Sequence, residues 1–202
     1  MTTTGRPRTV RETVLDAVVE LLLRVGFDGI SVRQVAAAAG VSVGAVQHHF
    51  PTKDAMLGAA MERTAEAVTA DLRAAVAVPE PSVRLHAAAR ALLGARPDQR
   101  PATVLWIARL ARAEVHPPTA ADHAEQWGSV EELLRRLLTE AAPGFTPAEA
   151  SAEAGVLLAL LDGLAVAIAR EPERMPPERG EALLAQHLDR LLSPGRAGPT
   201  PR

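Results

Sequence analysis

The chain has 202 residues, of which 48 % are hydrophobic and 23 % are charged. This length and composition are typical of one or two globular domains and exclude a largely disordered protein. The chain has no cysteine, which excludes disulfide bonds, a thiol nucleophile and thiolate metal ligands. We find no apolar run as long as a membrane span and no secretory signal at the N-terminus. The sequence therefore predicts a soluble cytoplasmic protein that has no membrane partner.

The net charge of −2 does not by itself favour a protein that binds nucleic acid. Its distribution along the chain is uneven, however. Residues 1–53 contain six basic and four acidic residues, whereas residues 54–202 contain 16 basic and 20 acidic residues. A basic end on an acidic remainder is the asymmetry expected when one end of a protein contacts phosphate groups.

Helical spacing of apolar residues recurs along the whole chain, and strand signals are nearly absent, so the sequence predicts an all-α fold of about nine helices. Capping boxes at Thr9-x-x-Glu12, Ser31-x-x-Gln34 and Thr146-x-x-Glu149 mark three of the helix starts. The predicted helices run from Thr9 to Val25, Ser31 to Ala39, Ser42 to His49, Lys53 to Val78, Ser82 to Leu93, Pro101 to Val115, Thr119 to Ala142, Thr146 to Glu171 and Pro177 to Leu192.

The second and third predicted helices are both short and flank a turn at Gly40, which is typical of a helix-turn-helix. The second helix of such a pair lies in the major groove, where its first turns reach the base edges. The small or apolar residues of the pair are placed to pack inwards: Val35, Ala36, Ala39, Val41 and Val46. The polar residues are left on the outside as candidate DNA contacts: Arg33, Ser42, Gln47, His48, His49 and Lys53.

The segment Gly26–Leu57 resembles the DNA-binding signature of TetR-family repressors. The match rests on the Gly26-Phe27 stop, the Ser31 cap, Val35-Ala36, the run Ala39-Gly40-Val41-Ser42, His49-Phe50 and Lys53. The sequence departs from the family pattern in the recognition helix, where Ala45 replaces the usual threonine and Gln47 the usual tyrosine. The resemblance adds Val43 and Ala45 to the expected DNA-contacting positions.

The resemblance implies an all-helical homodimer that binds a double-stranded operator and responds to a small-molecule effector. Residues 1–53 would form a three-helix DNA-binding head, and residues 54–194 a body for ligand binding and dimerisation. Residues 195–202 are predicted to be a disordered tail. We expect two recognition helices to enter successive major grooves about 34 Å apart. The effector would release the DNA by favouring a different spacing of the heads, with the fourth helix as the lever.

Trp106, Trp127 and the run Leu161-Asp162-Gly163-Leu164 resemble the BetI-like branch of the same family. Each tryptophan alone suits the core, but in a ligand-binding body Trp106, Arg109, Trp127 and Asp162 become pocket candidates. Asp162 fits a ligand contact, an arginine partner or a solvated edge equally well. Outside the head the only aromatic residues are the two tryptophans and Phe145, too few for a cage around a quaternary ammonium ion. The sequence therefore favours an apolar or amphipathic effector.

Gly155, Ala159 and Gly163 share one face of the eighth predicted helix, where small residues let another helix approach closely. Ordinary core packing is one interpretation of this stripe. The resemblance implies the other, a dimer interface made by the last two helices, and adds Leu184 and Leu188 to it.

Two other classes of protein compete with a regulator. An all-α enzyme would need converging acid, base or nucleophilic groups, and the sequence contains no such signature, so no enzyme and no cofactor are predicted. The adjacent His48 and His49 point about 100° apart on a helix and do not suit one metal ion. The second alternative is a helical ligand-binding or adaptor protein with impaired DNA binding, which Ala45 and Gln47 bring into consideration.

Overall fold

The computed structural model describes residues 8–26 and 29–193, which form nine α-helices and no β-strand. The all-α prediction is therefore confirmed, and every predicted helix is present with its ends within about two residues. Phe27 of the predicted helix stop and the predicted tail 195–202 lie outside the described residues. The helices are α1 (Val10–Val25), α2 (Val32–Ala39), α3 (Val43–His49), α4 (Lys53–Val76), α5 (Pro81–Leu93), α6 (Arg100–Ala113), α7 (Pro117–Ala141), α8 (Pro147–Arg170) and α9 (Pro177–Leu192).

Local hydrogen bonds fix the helix starts that the sequence predicts. Thr9 Oγ1 accepts from the Glu12 amide at 3.2 Å, and the Glu12 carboxylate accepts from the Thr9 amide at 2.7 Å. Thr146 and Glu149 make the same reciprocal pair at the start of α8. These bonds satisfy amides that the first turn of a helix otherwise leaves without an acceptor.

The helices pack around two separate hydrophobic clusters. The first cluster joins α1, α2 and α3 to the first turns of α4, and we call this unit the head. Leu105, on α6, is also completely buried in the head cluster. The second cluster is formed by α5, α7, α8 and α9 with the end of α4, and we call this unit the body.

α8 is the central helix of the body, between α7 on one side and α9 on the other. By length and composition alone it could cross a membrane, so the prediction that no segment is long enough is wrong for this helix. Its apolar residues instead form much of the body cluster, which is common for a core helix. A Cβ atom at Gly180 of α9 would lie 2.6 Å from Ile168 Cδ1, so a larger residue where α9 meets α8 would require the Ile168 side chain to shift.

The structure corrects two of the predicted interface residues. Leu184 and Leu188 of α9 are 0 % exposed and belong to the body cluster of their own subunit. A side chain with no exposed surface cannot contact a second subunit, so neither residue is a dimerisation contact. Periodicity identified the apolar face of α9 correctly, but that face turns towards α5 and α8.

Candidate DNA-binding face and ligand cavity

The turn between α2 and α3 has the backbone geometry that a helix-turn-helix requires. Gly40 ends α2 with φ of 67° and ψ of 30°, a left-handed conformation that glycine adopts without strain. The Val41 amide donates to the Ala36 carbonyl at 3.0 Å and closes the turn. Ser42 then begins α3, because its Oγ accepts from the Ala45 amide at 3.1 Å. Ser42 therefore has a structural role in addition to the DNA contact that the sequence predicts.

α3 divides into an inward and an outward face. Val46 is completely buried against Val35 and Ala36 of α2, as predicted. Gln47, His48 and His49 are exposed. The other predicted DNA contacts are exposed or half-buried around this face: Arg33, Ser42, Val43, Ala45 and Lys53. All eight predicted positions are thus at least partly accessible on α2, on α3 with its N-cap, and at the start of α4, and we call them together the recognition face.

Two residues near this face were not singled out from the sequence. Gly44 lies in the first turn of α3, and a Cβ atom added there would meet only Ser42 Oγ, at 3.9 Å. Arg11 of α1 places its guanidinium carbon 5.5 Å from the centre of the Phe50 ring, directly after α3. Arg11 is one of the six basic residues counted in residues 1–53, but the sequence alone did not indicate that it would lie next to α3.

A cavity of about 960 Å³ lies between α4, α6, α7 and α8. All four predicted ligand contacts line it: Trp106, Arg109, Trp127 and Asp162. Apolar residues of α4 form a long part of its wall, including Leu57, Met61, Val68 and Leu72. The volume is at the upper end of the range of about 300–1,000 Å³ that is usual for small-molecule sites.

The two tryptophans stack on each other, with ring centres 5.2 Å apart and planes 3° from parallel. The His123 ring lies against Trp127, with centres 4.5 Å apart. Trp127 Nε1 donates to Asp162 Oδ2 at 2.9 Å, which links α7 to α8 across the cavity. The indole N–H of Trp106 is buried and has no hydrogen-bond partner among the described residues.

The charged groups of the cavity differ in their partners. Arg109 donates to Gln126 at 2.8 Å and pairs with Asp122 at 3.4 Å. Asp162 forms no ion pair with a lysine or arginine of the described chain, and burial raises the pKa of its carboxyl group. Burial also lowers the pKa of His123, and the charge of Arg109 adds to this effect. Of the three interpretations of Asp162, an arginine partner is excluded for the described residues.

The cavity reaches the head at two points. Arg112 of α6 pairs with Asp54 of α4 at 3.3 Å, and both residues line the cavity. Asp54 directly follows Lys53 of the recognition face. Leu105 also lines the cavity while its side chain is buried in the head cluster. The sequence predicted only α4 as a connection between the two units, whereas the structure adds α6.

The stripe of small residues on α8 does not face one single surface. A Cβ atom at Gly155 would lie 3.5 Å from Glu131 Oε1 of α7, so Gly155 faces its own subunit. Ala159 and Gly163 are exposed, and no atom lies within 4 Å of a Cβ atom at Gly163. Val156 is 53 % exposed on the same side of α8. This side is the part of the stripe that is free to meet another molecule.

Family models match both units of the chain. The model for bacterial regulatory proteins of the tetR family matches residues 14–60. The model for the C-terminal domain of BetI-type transcriptional repressors matches residues 81–193.

Individual relatives agree over nearly the whole length. The HTH-type transcriptional regulator BetI of Burkholderia thailandensis is 31 % identical over 187 residues, which are 91 % of this chain and 94 % of that protein. A transcriptional regulator from Rhodococcus sp. Rha1 has a crystal structure with a TM-score of 0.76 and 32 % identity, covering 91 % of this chain and 96 % of that one. A regulator from Saccharomonospora viridis in complex with choline has a TM-score of 0.78 but 18 % identity, covering 89 % and 95 % of the two chains, and shows a shared fold alone.

Proposed function

The chain belongs to the TetR family of bacterial regulatory proteins, and we propose that it is a homodimeric repressor whose recognition face binds a pseudo-palindromic operator until a small molecule enters the body. The family predicted from the sequence is confirmed, and with it the function of a ligand-responsive DNA-binding regulator. The relatives are named as transcriptional regulators, a class that is not enzymatic. We therefore assign the cavity a regulatory role. The protein would act in the cytoplasm, where its operator lies.

One observation carries the proposal for DNA binding: α3 buries Val46 and presents Gln47, His48 and His49 to solvent. A polar face on the second helix of a helix-turn-helix has no structural use within the subunit, but it fits the major groove. Gln47 would bond an adenine edge, and Arg33 and Lys53 would contact phosphate or guanine. His48, His49, Ser42, Val43 and Ala45 complete the proposed contact surface.

We assign the head to residues 1–53 and the body to residues 54–194. The two separate hydrophobic clusters support this division, although α4 runs through both of them. For the dimer we retain the exposed side of α8, with Ala159 and Gly163, because small residues allow a partner helix to approach closely. A symmetric pair of such contacts would hold the two heads at a fixed spacing.

Release of DNA would be a shift between two populations of the dimer. An effector can change the operator affinity only by binding one spacing of the heads better than the other. α4 and α6 both line the cavity and both enter the head cluster, so they are the elements that connect the two sites. The largely apolar wall of the cavity supports an apolar or amphipathic effector.

Selection of genomic DNA fragments by the purified protein, followed by sequencing, tests this proposal. We expect a palindromic site whose affinity falls with Arg33→Ala, Gln47→Ala and Lys53→Ala. Arg73→Ala is the matched control, because it removes one exposed charge from the last turn of α4. That turn lies about 30 Å along the helix from Lys53.

The outcomes separate the two remaining functions. If binding to the selected DNA site is lost with Arg33→Ala, Gln47→Ala and Lys53→Ala but retained with Arg73→Ala, the result supports the repressor. An equal loss with the three charge-removing variants Arg33→Ala, Lys53→Ala and Arg73→Ala would point to a general effect of charge. Absence of any selective site at moderate salt would refute the repressor and favour an adaptor that has lost DNA binding.

A further inference from the structure

The cavity contains more negative charge than its own arginines neutralise. Five carboxylates line it, and so do two arginines, Arg109 and Arg112. Both arginines are engaged in ion pairs, with Asp122 and with Asp54. The remaining three carboxylates have no arginine or lysine partner in the described chain: Glu62, Glu125 and Asp162. A concave site of one sign attracts ligands of the opposite sign.

Asp162 is the carboxylate for which this imbalance matters most. It is half-buried within the otherwise apolar stretch 156–168 of α8, and burial raises the pKa of its carboxyl group because the charged form loses solvation. A carboxylate has about four acceptor positions, and the Trp127 N–H occupies one of them. Partial burial of a charge is unfavourable unless a cation or several donors compensate it. A cationic ligand with N–H donors would supply both the charge and the missing bonds.

The aromatic residues do not favour a quaternary ammonium ion. Recognition of that group needs several ring faces around one cation. Trp106 and Trp127 are stacked face to face, and His123 lies against Trp127. The chain has no tyrosine, and two of its three phenylalanines, Phe50 and Phe145, pack in the hydrophobic clusters. The rings thus cover each other and do not enclose a space.

The size and the wall of the cavity describe the rest of the ligand. A volume of about 960 Å³ is far more than one ammonium group fills. From Leu57 to Leu72, α4 lines the cavity with apolar side chains interspersed with Glu62, Thr64 and Thr69. The half-buried Met61 and Val68 would stay in contact with water if the ligand were small and polar. Burial of a long hydrocarbon group on this wall is favourable in proportion to the apolar area that it removes from water.

We propose that the effector is an amphipathic primary or secondary amine, whose protonated nitrogen donates hydrogen bonds to Asp162 and whose apolar part lies along α4. This inference rests on the proposed regulatory role of the cavity. The proposed effector is thus a cation with N–H donors, and not a quaternary ammonium ion, a carboxylate or a neutral lipid.

Four twelve-carbon probes of equal length test the inference by isothermal titration calorimetry on the full-length protein, below their micellar concentrations. These probes are dodecylamine, dodecyltrimethylammonium, dodecanol and dodecanoate. We expect dodecylamine to bind about tenfold or more tightly than each of the other three, since only it makes charged hydrogen bonds to Asp162. Choline is a fifth probe and should bind more weakly still, because it lacks the apolar part.

Asp162→Asn removes the charge but keeps the volume and an oxygen that can accept from Trp127. With this variant the affinity for dodecylamine should fall to that for dodecanol. Glu66→Gln, at an exposed position of α4 that does not line the cavity, is the matched control and should leave the preference intact. Near-ultraviolet circular dichroism of the stacked tryptophans verifies that each variant is folded.

Equal binding of dodecylamine and dodecyltrimethylammonium would overturn the inference in favour of recognition by charge and rings. If dodecanoate binds most tightly, the charged partner of the ligand is Arg109 or Arg112 and not Asp162, and the inference is wrong. Selective binding of operator DNA with no binding of any amine would refute the inference alone. Binding of dodecylamine without any operator would refute the repressor alone, so the two failures are distinguishable.

Discussion

Gly44 in the recognition helix gives a test in which stability and DNA binding change in opposite directions. Glycine within a helix is less favourable than alanine by about 0.5–1 kcal/mol. Gly44 has no compensating reason inside the subunit, because an added Cβ atom would meet only Ser42 Oγ at 3.9 Å. It is also not among the glycines with positive φ, which in the described part of the chain are Gly26, Gly40 and Gly94. We therefore expect that glycine at this position serves a close approach of DNA.

Gly44→Ala should stabilise the isolated protein. A gain of about 0.5–1 kcal/mol corresponds to a rise in Tm of about 1–4 °C for a chain of this length. The same methyl group would occupy space that the DNA backbone or a base needs. We expect the affinity for the operator to fall at least about tenfold, which is about 1.4 kcal/mol.

Gly128→Ala is the matched control, because Gly128 is an exposed glycine of α7 with no atom within 4 Å of its Cβ position. Thermal unfolding should show a similar gain in Tm for both variants, and fluorescence anisotropy with the selected operator should show a loss of affinity for Gly44→Ala only. Unchanged or tighter DNA binding by Gly44→Ala would refute the reasoning, since the glycine would then have no role in close approach.

Three further predictions concern the body and its connection to the head. Dodecylamine is expected to weaken operator binding by a certain factor, and Asp54→Asn and Arg112→Gln should each reduce this factor by up to about fivefold, because an exposed ion pair contributes at most about 1 kcal/mol. If the reductions of the two single variants simply add in the double variant, the two residues do not act through their ion pair. Because burial raises the pKa of Asp162, its charge destabilises the fold above that pKa, and the penalty is relieved as the pH falls through it. Asp162→Asn should accordingly raise Tm more near neutral pH than near pH 4, and equal shifts would contradict this assignment. Leu188→Ala should lower the free energy of unfolding by about 2–5 kcal/mol. Gly163→Arg, by contrast, should leave the fold intact and give the mass of a monomer in light scattering. A Gly163→Arg protein that is still dimeric would exclude this side of α8 as the interface.

Helix starts were predictable because their signals are local. A serine or threonine three residues before a glutamate or glutamine indicates a capping box, and Thr9 and Thr146 both form one. At Ser31 only half of the predicted box is present, because its Oγ accepts from the Gln34 amide at 3.3 Å without the reciprocal bond to the Ser31 amide. The inward and outward faces of α3 were predictable for the same reason, since a period of 3.6 residues fixes which side chains share a face.

The direction of a buried face was not predictable in the same way. Periodicity shows that Leu184 and Leu188 belong to an apolar stripe, but it does not show whether that stripe meets its own subunit or a partner. Both leucines turned out to fill the core. The buried Gln99 is a similar case: its side-chain amide donates to Asp71 at 2.8 Å, a partner 28 residues away that no sequence pattern indicates.

The geometry of α6 explains how the cavity and the recognition face can influence each other without a flexible link. Adjacent residues on a helix point about 100° apart, so Leu105 enters the head cluster while Trp106 lines the cavity and stacks on Trp127. Close-packed interiors do not absorb displacements by small deformations of each side chain. We therefore expect that a ligand which displaces the backbone of α6 at Trp106 also displaces Leu105, and with it the part of the head that Leu105 contacts. In the proposed mechanism α6 would act in parallel with α4, and two connections would constrain the orientation of the head more tightly than one.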